Sequence, residues 1–348
     1  MKVFVYLLFF LVNLIVLVSP IIAPKDFWFA GVIVQLIPLF FVINSFLVLI
    51  FLIKGKKRIL FPFLFVIPSF IFFFGATYQF PSNNIPEIQN TTSIVSYNTS
   101  FFNKKTTFSE EYYDPLSNTD AIEINDWLKS NNADIICLQE FFDDVNSSIL
   151  NNVASISEAG GYYHNFVYKQ KHDNGIREGL IIFSKYPIIE KGTVFLSENH
   201  YNGAIYADLK INSDTVRIIN AHLESMRLGS KANYLTGLIK AYKRGVVKHN
   251  LQLEQLLSFI KNTPYKMILC GDLNETPYSF VYNKLGNDLY NAFENGGSGF
   301  GFSYNSSILP FLRIDNQFYD TRIKLIRFDT KMDCKASKHF PIIGIYAL

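Results

Sequence analysis

The chain has 348 residues, 49% of them hydrophobic and 16% aromatic, with a formal net charge of +3. That length holds one large domain plus an appendage, and so small a charge implies no nucleic-acid partner by itself. Its three cysteines, Cys137, Cys270 and Cys334, are odd in number and widely spaced, which excludes a disulfide framework or a zinc site. Two of them lie in predicted core strands and read as small buried hydrophobes.

The hydrophobic excess is concentrated in the first 80 residues, where the stretches 3–19, 27–53 and 59–76 carry no charge. A helix needs about 20 apolar residues to cross a bilayer's hydrocarbon. Three transmembrane helices are therefore predicted, over about 3–23, 27–53 and 59–76, the third being the shortest. Pro38, Pro62 and Pro68 are expected as kinks, which a membrane bundle tolerates. The first stretch read as a cleaved signal peptide, with Lys2 as its basic start, lacks a small-x-small cleavage site before the second. Lys54, Lys56, Lys57 and Arg58 lie between the second and third stretches. The positive-inside rule places that loop in the cytoplasm, and Lys2 with it. Three crossings then make a multi-pass cell-membrane protein whose domain after Tyr78 is extracytoplasmic, an orientation that depends on the third helix crossing. Uncharged helices offer no ion path, which argues against a transporter. Residues 80–92, polar and holding Pro81 and Pro86, read as a short linker.

From Ser93 onward short apolar runs alternate with amphipathic ones. Strands are predicted over 94–97, 134–138, 180–183, 205–211, 216–220, 267–270, 314–318 and 342–346. Helices are predicted over 121–129, capped by Asp120, and 231–261, where Gly245 is expected as a break. Such alternation indicates a layered α/β domain around a sheet core, spanning residues 93–348. The run Met267 to Cys270 ends at Gly271, which lets the backbone turn tightly, and Asp272 and Asn274 follow. Polar residues collect at the other predicted strand ends too: Asn98, Glu140, His222, Asp315 and His339. Carboxylates, imidazoles and carboxamides converging in one cleft suit a hard cation such as Mg²⁺. They also suit hydrolysis of a phosphate ester, with one group activating water and another protonating the leaving oxygen. Taken singly, each has a plainer reading: Glu140 as a solvated loop residue, His222 as a structural histidine, Asp315 as a strand-end carboxylate. The basic stretch Arg227, Lys231, Lys240, Lys243, Arg244, Lys248 and His249 reads as a solvated helix face rather than a phosphate-binding surface. Aromatic pairs such as Tyr112 and Tyr113 could stack on bases or simply pack.

The ordered set Val95-Ser96-Tyr97-Asn98, Leu138-Gln139-Glu140, Glu178-Gly179, Asn220-Ala221-His222, Gly271-Asp272-Leu273-Asn274, Arg313-Ile314-Asp315 and Ser337-Lys338-His339 resembles the endonuclease/exonuclease/phosphatase superfamily. That superfamily includes DNase I-like nucleases, neutral sphingomyelinases and inositol-phosphate 5-phosphatases. The resemblance implies a four-layer α/β/β/α sandwich. It implies Glu140 as principal Mg²⁺ ligand with Asn98 beside it, Mn²⁺ being the alternative ion. It implies Asp272 and Asn274 as the pair that positions water and phosphate, and His339 as the catalytic histidine held by Asp315. His222 is implied as a phosphate contact or acid, oriented by Glu178. One position departs: the closing Ser-Asp-His appears as Ser337-Lys338-His339. Lys338 either supplies positive charge in place of a second ion or marks a weakened site. The reading is a membrane-anchored, metal-dependent phosphoesterase acting on nucleic acid or a phospholipid headgroup, with the lipid bilayer as partner and no protein partner inferable. The alternative is a non-catalytic phosphate-binding module.

Overall fold

The computed structural model describes residues 2–55, 60–81, 90–103, 119–171, 175–198, 201–225, 235–307 and 311–348. Lys56 to Arg58, most of the expected linker, Tyr112, Tyr113, Arg227 and Lys231 lie outside them.

The uncharged N-terminal stretches fold as helices, the form that satisfies every backbone group within an apolar segment. They are α1 (Lys2–Val18), α2 (Phe29–Ile33), α3 (Ile37–Ile53) and α4 (Leu60–Thr77). A single 3₁₀ turn, Val34–Leu36, joins α2 to α3. Pro38 sits in the first turn of α3, where a missing N–H costs nothing, so it opens that helix instead of kinking one. Among the described residues two stretches, Phe4–Ile21 and Phe29–Ile53, are long and apolar enough to cross a membrane. The expected third span is not among them: α4 holds Pro68 inside it, where the missing N–H interrupts the helix. α3 and α4 run antiparallel, with Phe41 against Phe74 at 6.1 Å, and α1 lies beside α4 through Phe10 and Phe65 at 5.4 Å. Between α1 and α3 the buried Asn44 donates to Asn13 Oδ1 at 2.7 Å.

The rest of the chain runs in order through β1 (Thr92–Asn98), α5 (Thr119–Asn131), β2 (Ile135–Asp144), α6 (Asn152–Gly160), β3 (Tyr163–Lys171), β4 (Ile176–Ser184), β5 (Ile188–Leu196), β6 (Gly203–Ile211), β7 (Asp214–His222), α7 (Leu235–Lys261), β8 (Lys266–Asp272), α8 (Phe280–Gly286), β9 (Leu289–Asn291), α9 (Ala292–Gly296), β10 (Asp315–Asp320), β11 (Lys324–Thr330) and β12 (Ile342–Ala347). These strands form two six-stranded sheets, β11-β12-β1-β2-β4-β3 and β5-β6-β7-β8-β10-β9. In each sheet the two central strands are parallel, β1 with β2 and β7 with β8.

Alternation along these strands builds the layers. Ile94, Ile135 and Cys137 of one sheet meet Ile218, Ile268 and Cys270 of the other in a shared core. Their neighbours Val95, Ile136 and Leu138 face α5 and α6 through Ile124 and Ile156. Ile219 and Leu269 face α7 and α8 through Leu256 and Leu285. The central strands are apolar on both faces because both faces are covered, so the four-layer α/β/β/α expectation matches this sandwich. Buried amides bolt the sheets together. Asn220 on β7 donates to the carbonyls of Leu138 (2.8 Å) and Ile181 (2.9 Å), and Gln139 on β2 donates back to Asn220 Oδ1 at 2.7 Å. All three cysteines are buried and free.

Just before the expected linker, Gln79 pairs with Gly299 across a β-bridge. α7 passes through Gly245 unbroken. Strands β3, β5 and β11 carry alternating polar residues on sheet edges and lack the continuous apolar run that marks a buried strand. Gly271 is fixed by two constraints: φ is +151°, and a Cβ there would come 1.8 Å from the Ala221 carbonyl oxygen. Gly271→Ala should therefore force β7 and β8 apart and cost about 2 kcal/mol or more, read as a lowered melting temperature.

Candidate active site

Strand register brings the polar ends together. His222, last in β7, is the parallel partner of Asp272, last in β8. Asp315, first in β10, is the antiparallel partner of Asp272. Asn98 at the end of β1 pairs with Gln139 of β2, and the next residue, Glu140, lies where the β2–β4 register shifts. Glu140 has φ +46° and Asn274 φ +51°, left-handed values that concentrate at sites the surrounding fold over-determines. At Glu140 that turn re-aims the side chain towards the cleft.

Asp272 is the hub. Its Oδ2 accepts from Asn98 Nδ2 at 2.9 Å and its Oδ1 from the Asn274 N–H at 2.9 Å. The same Oδ2 lies 3.6 Å from His222 Nε2 and 3.7 Å from His339 Nε2. Glu140 Oε1 stands 3.8 Å from His222 Nε2. Behind His339, Asp315 Oδ2 meets Nδ1 at 2.9 Å. Asn274 Nδ2 donates to the Leu223 carbonyl at 3.0 Å, locking the turn after β8. His222 Nδ1 faces the Tyr201 carbonyl at 2.9 Å. A carbonyl oxygen only accepts, so Nδ1 carries the proton and Nε2 points towards Asp272 and Glu140, as a lone pair when neutral and a donor when charged. Among the described residues His222 Nε2 and Asp315 Oδ1 are buried without a hydrogen-bond partner. Glu140, Asp272, Asn274 and His339 line a cavity of about 710 Å³.

A family model for the endonuclease/exonuclease/phosphatase family matches residues 95–337. The chain belongs to this family. A second model, a domain of unknown function (DUF8431), matches residues 1–77. No curated protein matches the chain. Solved structures share the fold at low identity. A Beutenbergia cavernae endonuclease/exonuclease/phosphatase is 14% identical with a TM-score of 0.52, over 75% of this chain and 72% of that one. Humanized D. rerio TDP2 is 17% identical with a TM-score of 0.53, over 74% and 99%. Truncated Caenorhabditis elegans TDP2 is 16% identical with a TM-score of 0.51, over 74% and 98%.

In this family member Lys338 stands apart from the cavity. Lys338 is exposed, its backbone carbonyl accepting from the Asn305 N–H at 2.7 Å, and it is not among the cavity's lining residues. Glu178 is buried on β4 opposite Phe142, and His222 Nδ1 meets the Tyr201 carbonyl. No sequence motif marks that contact, because it uses a backbone carbonyl. Arg313, quoted with Asp315, proves structural. It is buried and donates to the Ala76 carbonyl at the end of α4 (2.6 Å), to Asn316 Oδ1 (2.6 Å) and to the Tyr282 hydroxyl (2.9 Å). Along α7, Lys240, Lys243, Arg244 and Lys248 are exposed, whereas His249 is buried against Glu275 at 2.7 Å.

The donor set fits a divalent cation. Ligand atoms of Asp272, Asp315 and His339 lie within 4.8 Å of one another. Glu140, expected as principal ligand, lines the same cavity with its Oε1 3.8 Å from His222 Nε2, beyond hydrogen-bond distance. Asn98 Oδ1 accepts the Ser100 N–H at 2.9 Å and keeps a second lone pair. Oxygen-rich donors of this kind suit hard ions.

Burial disfavours a charge on His339, but the carboxylates of Asp315, Asp272 and Glu140 outweigh it and hold the imidazole up at about 9. Burial pushes the Asp315 carboxyl up, Asp272 adds to this, and the charge on His339 pulls it back. The imidazolium's contribution to stability is complete below the ordinary value of 6.5 and is lost as pH rises through about 9. Histidine NMR should show this ring titrating near pH 9. Asp315→Asn should move the midpoint down and shrink the fall in melting temperature over the same range.

Proposed function

We propose that the protein is a membrane-anchored, divalent-metal-dependent phosphodiesterase. The observation that carries this reading is the convergence of two imidazole Nε2 atoms on one Asp272 carboxylate oxygen, at 3.6 and 3.7 Å, with Asp315 behind His339. Two imidazole edges either side of a fixed carboxylate, with His339 held charged, suit a tetrahedral phosphate whose charge must be matched and whose attacking water must be oriented. Asp272, fixed by Asn98 and Asn274, orients and accepts a proton from water. The water oxygen bonds to phosphorus as the bond to the leaving alcohol breaks. His339, charged at neutral pH, gives its Nε2 proton to that leaving oxygen, and Asp315 stabilises the charged ring. His222, oriented by the Tyr201 carbonyl, faces a non-bridging oxygen. Glu140 and Asn98 would hold the ion, whose chemistry when bound is to neutralise phosphoryl charge and acidify water.

The anchor reading rests on exposure. Only 22% and 11% of the two long apolar windows is buried within the protein, too little for core helices, and so extensive an apolar surface needs a non-aqueous cover. A cleaved first helix fits poorly with the buried Asn13–Asn44 bond and with Val16 packed among Val34, Ile37 and Tyr278. The start of α3 and the end of α4 both meet the catalytic domain, through Gln35–Thr276 at 3.0 Å and Ala76–Arg313. Lys54 is at the far end of α3, and α4 packs antiparallel to α3 back to Ala76, so the positive-inside rule favours an extracytoplasmic catalytic domain in the cell membrane, with α4 lying across the bilayer beside α3.

A second reading, a phosphate-binding module without turnover, is favoured by Lys338. Its exposed position supplies no charge to the cavity in place of the family's usual aspartate.

The test is hydrolysis by the full chain of a bis-aryl phosphate, sphingomyelin, RNA and plasmid DNA, with Mg²⁺ or Mn²⁺ and with chelator. Metal-dependent turnover is expected, reduced about 100-fold or more by Glu140→Ala or His339→Ala. A folded protein with no turnover on any substrate favours the binding module, and Lys338→Asp then tests whether activity returns. Protease added to intact cells should digest the catalytic domain.

A further inference from the structure

The cavity that holds the site is composite. Beyond Glu140, Asp272 and His339 it continues between the helical bundle and the catalytic domain, walled by Pro38, Ala76, Phe300, Phe302 and Phe311. Its volume, about 710 Å³, is that of a site for a whole small molecule rather than a phosphate alone. The walls are built. Tyr278 packs with Val34, Ile37 and Ala76 and its hydroxyl meets Thr77 Oγ1. Tyr78 stacks edge-on against Phe300 at 5.0 Å. Gly31 of α2 leaves just enough room for α7, a Cβ there lying 3.3 Å from Val246. Tyr242, also lining the cavity, has a buried hydroxyl with no partner among the described residues, a donor for an uncharged polar group.

Resting on the phosphodiesterase reading, we infer that the substrate is a lipid phosphodiester drawn from the bilayer, its phosphate among His222, Asp272 and His339 and its hydrocarbon chain in the half of the cavity walled by the bundle and the phenylalanines. Three observations select this occupant. The phosphate end and the apolar end share one continuous cavity. The apolar end is formed partly by the ends of α3 and α4, where chains from a surrounding bilayer arrive. A polynucleotide needs a row of cations to match its phosphates. Among the described lining residues only Arg313 and His339 carry positive charge, and Arg313 is spent on Asn316, the Ala76 carbonyl and Tyr282.

The test uses the full chain in maltoside micelles, which contain no phosphate. p-Nitrophenyl phosphodiesters whose second alcohol is ethanol or hexadecanol are compared in the wild type, in Ala76→Trp, and in Phe300→Ser with Phe311→Ser. Phe300 and Phe311 are 48% and 56% exposed, so the double variant keeps the test open should Ala76→Trp fail to fold. Partition into micelles favours the long ester equally for all three proteins, so the variant-to-wild-type comparison isolates the cavity. The hexadecyl-over-ethyl preference in kcat/KM should fall at least about tenfold in either folded variant. An unchanged preference overturns the assignment, as does faster hydrolysis of plasmid DNA than of either ester. If no protein hydrolyses either ester, the phosphodiesterase reading fails separately. Calorimetric binding of hexadecylphosphocholine against phosphocholine then decides the cavity: a long-chain advantage lost in the variants supports it, and equal binding overturns it.

Discussion

The buried charge of Asp272 is the constraint on which the rest of the site depends. A carboxylate 1% exposed is costly unless its oxygens are matched by donors and positive charge. Here the match comes from four separate segments: Asn98 at the end of β1, the Asn274 N–H, His222 at the end of β7, and His339 before β12. Holding those donors within 4 Å of one carboxylate fixes how the two sheets meet. The cross-sheet amides serve the same end, since Asn220 precedes His222 by two residues and bonds the strands that carry Glu140 and Ile181. Stability and chemistry thus draw on the same contacts.

The junction between the bundle and the catalytic domain is specific rather than a loose tether. Arg313 donates to the carbonyl end of α4, where helix dipole and guanidinium attract, and lies two residues before Asp315. Lys25 pairs with Glu254 at 2.5 Å, and Gln79 pairs with Gly299. The bundle therefore contributes to the wall of the active cavity as well as to its placement, and the apolar and polar halves of the cavity are fixed relative to each other. Membership of the endonuclease/exonuclease/phosphatase family accounts for the polar half. The apolar half owes its shape to residues 1–77, a segment matched separately.

Much of the fold was legible. Central strands such as those containing Ile135–Leu138 and Met267–Cys270 are covered on both faces, so they appear as unbroken apolar runs. Edge strands β3, β5 and β11 were not, because one side of each meets solvent and their residues alternate without a long apolar run. Gly245 weakens a helix locally, but packing of α7 on β7 and β8 through Leu253, Leu256 and Ile260 outweighs that cost. The third apolar run was read by its lack of charge, a pattern that takes no account of Pro68 inside the helix.

The site divides the same way. Sequence alone determined the chemical kinds and the order of Asn98, Glu140, His222, Asp272, Asn274, Asp315 and His339, because each lies at the end of a recognisable strand or in a motif beside one. Tertiary structure decided which atoms meet. It set His222 Nδ1 against the Tyr201 carbonyl, left Lys338 outside the cavity lining, and made Arg313 a link to α4. It also joined Ala76 and Pro38 to residues more than 200 positions away in one cavity. Local pattern records which face of a strand or helix is apolar. It holds no record of which distant backbone carbonyl or helix end will lie against that face, since that is set only when the layers and the bundle pack.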